Sequence, residues 1–421
     1  MFKKITLKNG LRLILVPDKN SQTVTVLILV ATGSKYENKQ LNGISHFLEH
    51  MFFKGTKKRK TPKEIAETLD KVGGSYNAFT SEEYTGYFAK VEKSHLDLAL
   101  DWVSDIFLNS TLPREEMEKE RGVIIEEINM HYDNPMSYLQ ILWPKLLYGD
   151  QSAGWPITGE KETVMRIKRE DLISYRDSQY VASNTLICLA GNFSEKKALL
   201  RIKKYFSKIK VGKPKGKPKV IESQKKPNLL LHYRKTDQIH LALGVRAFSL
   251  FHPQKYSLQL LASILGGMMS SRLFIEIREK LGIAYYVDTV CETNPDTGFL
   301  VTFAGVEKES LKKAISVILR EYRKIKEKGI SKEELKKAKE NAKGKLALSL
   351  ETSDAKASFY GFQEILKREI LTPKQISAKI EKIKEKDIAF VAKEIFKPQK
   401  LNLALIGPFK EKESLFKLLK I

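Results

Sequence analysis

Apolar residues in the first part of the chain fall into short runs of two kinds. Residues 5–7, 11–16 and 24–30 are rich in β-branched side chains with alternating faces and read as strands, the first two joined by an Asn9-Gly10 turn. Residues 43–53 and 61–72 carry apolar side chains at helical spacing. The Gly73-Gly74 pair then breaks the pattern before strands near 76–80 and 84–91. A long helix is predicted to start after Leu112-Pro113 and to stop before Asn134-Pro135. Antiparallel strands with helices in the longer insertions predict an α+β layer.

At 421 residues the chain exceeds what one ordinary core organises. Residues 211–227, VGKPKGKPKVIESQKKP, are rich in Lys, Pro and Gly and nearly devoid of large apolar groups, so they read as a linker. The flanking pieces, 1–210 and 228–421, are close to equal in length and resemble each other. NTLICLAGNF at 184–193 compares with NLALIGPF at 402–409, and one constant offset sets Asp171, Gly191 and Phe193 against Asp387, Gly407 and Phe409. A duplicated α+β unit is the expectation. The same offset sets His46, Glu49 and His50 against Ala262, Leu265 and Gly266, so only the first half holds the residues that follow.

His46-Phe47-Leu48-Glu49-His50 places two imidazoles four residues apart in a segment that can be helical, hence on one face and within reach of one ion. Glu49 shares that side and is free to hold a water. Two neutral imidazoles and a carboxylate suit zinc, and a catalytic site keeps one coordination position open for water. A carboxylate beside that water can take its proton as it attacks a carbonyl. The order H-x-x-E-H inverts H-E-x-x-H and defines the inverzincins.

Residues 46–56, HFLEHMFFKGT, resemble the signature of the pitrilysin/insulinase family of zinc peptidases, most closely its mitochondrial processing peptidase-like branch. The resemblance implies a third zinc ligand from a later glutamate, and Glu127 stands at the matching place. It also implies a supporting role for Glu120, one heptad earlier in ERGVIIEE, orienting a ligand or assisting proton transfer. Glu126 competes for the ligand role but is turned about 100° around a helix. His131, one turn beyond Glu127, reads as a helix-end residue.

Residues 270–287, SSRLFIEIREKLGIAYYV, resemble the family's second-domain motif. The implication is that Arg278 and Tyr285 face the zinc and donate to the substrate carbonyl or the oxyanion formed on attack. Without the resemblance they read as an exposed arginine and a core tyrosine; Tyr286 and Asp288 receive no role. GGSYNAFT at 73–80 resembles the edge strand that receives substrate, which implies that Asn77 and Ala78 meet an extended peptide. GWPITG at 154–159 matches a further family segment without a chemical role.

The fold implied is two homologous halves, each a mostly antiparallel β-sheet covered by helices on one side. The function implied is a zinc metalloendopeptidase, with one Zn2+ per chain, cleaving peptides or unfolded polypeptide segments. Family members of this length pair two chains into a closed chamber, so a homodimer, or a heterodimer with a related chain, is expected. The alternative is a non-catalytic binding or assembly subunit of the same fold, although such chains usually lose part of the metal motif.

Charge changes this picture little. Lys and Arg outnumber Asp and Glu by 74 to 50, a formal +24, which raises nucleic acid or an anionic membrane as a partner. The lysines are spread along exposed helix faces, with no basic stripe interleaved with aromatics and no nucleic-acid-binding motif. No apolar run reaches membrane-spanning length. Neither nucleic acid nor membrane is therefore expected as a partner. Cys188 and Cys291 lie in apolar strand-like runs, which speaks against a disulfide framework and fits a reducing compartment. The opening MFKKITLKNGLRLILVPDKN lacks the long apolar core of a secretory signal, so a cytoplasmic location is expected.

Overall fold

A computed structural model describes residues 2–409 and 412–421. In chain order it begins with β1 (Lys3–Thr6), β2 (Arg12–Pro17), β3 (Thr23–Val30), α1 (Ile44–Met51), α2 (Pro62–Asp70), β4 (Ser75–Thr80) and β5 (Thr85–Glu92). There follow α3 (Leu96–Asn109), α4 (Arg114–Asp133), α5 (Pro135–Tyr148), α6 (Lys161–Arg166), α7 (Arg169–Gln179), β6 (Thr185–Gly191) and α8 (Glu195–Tyr205). The second half opens with β7 (Asn228–Tyr233), β8 (Ile239–Arg246), α9 (Lys255–Leu265), a π-helical turn (Phe274–Lys280), β9 (Ala284–Thr293) and β10 (Gly298–Val306). It closes with α10 (Leu311–Lys328), α11 (Lys332–Leu348), α12 (Ser353–Lys367), α13 (Pro373–Glu381), α14 (Glu385–Ile395), β11 (Leu401–Gly407) and α15 (Glu413–Phe416). The early strands and the long helix lie where the apolar spacing predicts them, and residues 211–227 form neither helix nor strand.

Two sheets result, one of 6 strands in the order β1-β2-β6-β3-β5-β4 and one of 5 in the order β7-β11-β8-β10-β9. Apart from the hairpin strand β1, the two orders are the same. Each has one parallel pair, β2–β6 and β7–β11, among antiparallel neighbours. The offset read from the sequence holds residue for residue between β2, β3 and β6 and their counterparts β7, β8 and β11. It extends to α7 and α14, where Asp171 and Asp387 each accept the N–H of the residue before the helix, Lys168 and Lys384, at 2.8 Å.

The compact units do not follow the halves of the chain. One comprises the chain up to Met130, Trp155–Pro218 and Leu348–Ile370; the other comprises His131–Gly154, Lys219–Ala347 and the chain from Leu371. One change of unit falls at Pro218, inside the expected linker. The division at 211–227 is otherwise incomplete, because the units exchange helices: α5 belongs with the second sheet and α12 with the first.

Sheet coverage departs from the expected single side. On the first sheet Val24, Val26, Ile28 and Val30 face a core shared with α1, α3 and α8, while Leu27 and Leu29 face the opposite way onto α12. β2 splits likewise, Leu13 and Leu15 to one side and Ile14 and Val16 to the other. Both faces are buried, which is why these strands are apolar at successive positions. α12 lies close to the sheet at Gly361, where a Cβ would come within 2.9 Å of Leu29. Its buried Glu364 pairs with Arg12 at 3.0 Å and with Lys4 at 2.8 Å. In the second unit Leu139, Leu142, Trp143 and Leu146 of α5 cover Ala242, Val301 and Ile406 in the same manner.

Candidate active site

The helix α1 buries Ile44, Phe47, Leu48 and Met51, all fully, in the core of the first unit. That i, i+3, i+4, i+7 stripe fixes the helix and leaves His46, Glu49 and His50 on another face. α4 is held by Met117, Arg121 and Ile124, with the Arg121 guanidinium over the Phe47 ring at 5.5 Å. Its Glu120 and Glu127, two turns apart, share the face that meets the histidines.

There His46 Nε2 and His50 Nε2 stand 3.2 Å apart, and Glu127 Oε2 is 3.5 Å from each. Donor atoms about 2.0–2.1 Å from a tetrahedral zinc lie roughly 3.3 Å from one another, so the three atoms fit zinc in both chemistry and spacing. His50 Nδ1 is 2.8 Å from Glu120 Oε1. A proton held there leaves the Nε2 lone pair for a metal, the support a ligating imidazole usually has. Lys54 Nζ lies 2.6 Å from the other Glu120 oxygen, and Thr80 Oγ1 donates to Glu49 Oε2 at 2.5 Å.

Electrostatics follow from this packing. Burial opposes a charged His50, but hydrogen bonds to Glu120 and Glu127 and the field of Glu49 outweigh it and carry its pKa to about 9. A metal at Nε2 would displace the second ring proton of charged His50 and leave the one on Nδ1 beside Glu120. Burial likewise works against the Glu120 carboxylate, yet its bonds from His50 and Lys54 hold it below the usual range. At Glu49 burial prevails over the Thr80 hydroxyl and raises the pKa.

Glu126, the competing carboxylate, is exposed and accepts from Asn129 at 3.3 Å; it and His131 stand outside the His46–His50–Glu127 group. Asn77 and Ala78 lie on β4, the end strand of the sheet, whose Thr80 touches Glu49. The Ala78 side chain is buried, and Asn77 Oδ1 accepts the Ala78 N–H at 2.9 Å. In the second unit Arg278 sits in the π-helical turn, its guanidinium 4.9 Å from the Phe274 ring and 5.6 Å from that of Tyr285. Tyr285 is 77% exposed, so it is not the core tyrosine its isolated pattern suggests, whereas the Tyr286 hydroxyl bonds His240 Nδ1 at 2.9 Å. Lys54 and Thr80 were missed by sequence reasoning. Lys54, four residues after His50, carried a spacing signal; Thr80 carried none, since its link to Glu49 depends on β4 packing beside α1.

Among the described residues no helix is long and apolar enough to cross a membrane. Residues 12–160 match the family model described as Insulinase (Peptidase family M16), and residues 166–342 match that described as Peptidase M16 inactive domain. The chain is 37% identical over 412 residues to an uncharacterized zinc protease, YmxG, of Bacillus subtilis, covering 97% of this chain and 98% of that one. An uncharacterized zinc protease of Rickettsia felis is 35% identical, with 96% of each chain covered. Among solved structures, a protease from Helicobacter pylori superposes with a TM-score of 0.90 at 26% identity, over 97% of this chain and 99% of the other. A Pseudomonas fluorescens structure titled peptidase M16 inactive domain has a TM-score of 0.89 at 16% identity, over 98% and 99%, a likeness of fold.

Proposed function

This chain belongs to the insulinase family of peptidases, family M16, and on that premise we propose that it is a zinc endopeptidase cleaving peptides or unfolded polypeptide segments. One zinc ion per chain would be held by His46, His50 and Glu127. The observation that carries this is the triangle of their donor atoms, 3.2 to 3.5 Å on a side, with Glu49 on the same short helix. A bound zinc would supply a Lewis acid and a water acidic enough to lose its proton near neutral pH. Glu49 takes that proton and returns it to the leaving amine. Glu120 keeps His50 in the tautomer that ligates, and Lys54 keeps Glu120 charged.

The backbone of β4 receives the substrate as an added strand, which makes recognition tolerant of sequence. Arg278 and Tyr285 serve as donors to the substrate carbonyl oxygen. Kinship with the processing peptidase branch, and pairing of two chains, belong to the same proposal. The second half holds Ala262, Leu265 and Gly266 at the offset of the ligands and the base, as befits its match to a model described as inactive. The complete set in the first half disfavours a non-catalytic subunit.

Digestion of a mixed peptide library with and without a chelator, the products identified by mass, tests this. Cleavage that stops with the chelator and returns with zinc is expected. Cleavage indifferent to the chelator, or none in the zinc-loaded protein, would overturn it.

A further inference from the structure

The helix α1 cannot cap itself. Its N-cap, Gly43, adopts φ 97° and supplies no side chain, and a Cβ there would lie 2.7 Å from Thr158 O, which excludes Ser, Thr or Asp at the usual capping position. The free N–H groups at this end are met from a loop. Glu37 Oε2 accepts from Gly43 N at 2.8 Å and from Asn42 Nδ2 at 2.9 Å, and Glu37 Oε1 accepts from Ser45 N at 2.9 Å. Asn42 is fixed in turn by Pro156 O at 3.0 Å, and Ser45 Oγ by the Tyr175 hydroxyl at 2.7 Å.

Glu37 is 4% exposed, and every hydrogen-bond partner of its carboxylate is neutral. The other buried carboxylates of this unit differ: Glu83 faces Lys35 and Lys217, Asp105 faces Arg59, Glu120 faces Lys54, and Glu364 faces Arg12 and Lys4. An unpaired buried carboxylate is costly, and burial pushes its pKa up to about 7. Simple capping of an eight-residue helix does not call for such a group. By contrast α9, the counterpart without ligands, starts at Gln254 with no side-chain cap.

We propose that Glu37 is a positioning residue of the metal centre: by gripping the first N–H groups of α1 it sets where His46, Glu49 and His50 stand relative to Glu127. His46 follows directly on Ser45, one of the gripped residues, so a displacement at the cap reaches the ligands within one turn. The grip runs parallel to the negative end of a carboxylate meeting the positive end of the helix dipole. This role rests on the zinc site proposed above.

The test uses the full chain as Glu37→Gln and Glu37→Asp. Gln keeps the size but sets an N–H2 against donors; Asp keeps the charge and acceptors but is too short to reach both N–H groups. Zinc affinity is measured by chelator competition, kcat and KM on a quenched fluorescent peptide, and folding by thermal melting. For Glu37→Gln, zinc binding about tenfold to a hundredfold weaker is expected, with kcat reduced and KM unchanged. Its melting temperature should not fall with them, because the variant also removes a buried charge. Glu37→Asp should be intermediate, and it decides the matter if the Gln variant does not fold. Wild-type zinc affinity in the folded variant, or a loss that merely tracks the melting temperature, would overturn the proposal. A wild-type chain that binds no zinc would instead sink the zinc site itself.

Discussion

The two sheets of this chain share strand order apart from β1, a constant offset between three pairs of corresponding strands, and a covering helix taken from the other half of the chain, but they differ sharply in the helix after their second shared strand. α1 carries His46, Glu49 and His50 and is gripped by Glu37. α9 has Ala262 and Leu265 at the offset positions, both buried, with Gly266 ending it. α4 presents Glu120 and Glu127, while α11, its counterpart in chain order, carries Lys343, Gly344 and Lys345 in its last turns. The scaffold is thus maintained by apolar strands buried on both faces, which need no chemistry. The candidate site is a local addition of charged and imidazole side chains to one copy of it.

The sharpest way to break that comparison is to remove the base alone. Glu49→Gln should lower kcat by about 10^2 to 10^4-fold while zinc content is unchanged, as turnover and metal analysis will report. Full turnover in that variant removes Glu49 from the chemistry. Next, if the second half contributes donors, Arg278→Ala should lower kcat by about 10^2 to 10^3-fold without changing zinc affinity. Activity at the wild-type level would reduce the second half to a scaffold.

The exchanged helix supplies a smaller, structural contrast. Glu364→Ala leaves Arg12 buried without its partner and should cost about 3–5 kcal/mol in urea unfolding of the first unit. Asp354→Ala, at the start of the same helix, breaks a half-exposed pair to Lys90 of β5, at 2.7 Å, and should cost less than about 1 kcal/mol. Equal effects would mean that α12 is not anchored through its buried pair. The anchoring matters to the site, because Phe362 of α12 stacks on Tyr84 at 4.7 Å and meets Phe79 of β4 at 5.9 Å.

Much of this was legible in the sequence, for physical reasons. β-branched runs, the proline stops around α4 and the repeat of Asp171 and Gly191 as Asp387 and Gly407 are local signals. The histidine pair needs only helical spacing. The helix exchange was not read, although TVTVLILV at 23–30 hinted at it by being apolar on both faces. Which helix fills the second face depends on contacts such as Arg12 with Glu364, 352 positions apart, that no local pattern encodes. The role of Glu37 is not legible in the sequence for a different reason: its partners at 42, 43 and 45 are close in sequence, but their hydrogen bonds depend on how the chain turns into α1.

Zinc bound to the wild type and to Glu127→Gln, measured by competition with a chelator of known affinity, tests the central claim most directly. The expected result is one ion per wild-type chain, and for the variant an affinity lower by about tenfold or more with a normal melting curve. Zinc held by the variant as tightly as by the wild type would contradict the assignment of His46, His50 and Glu127 to a single metal site.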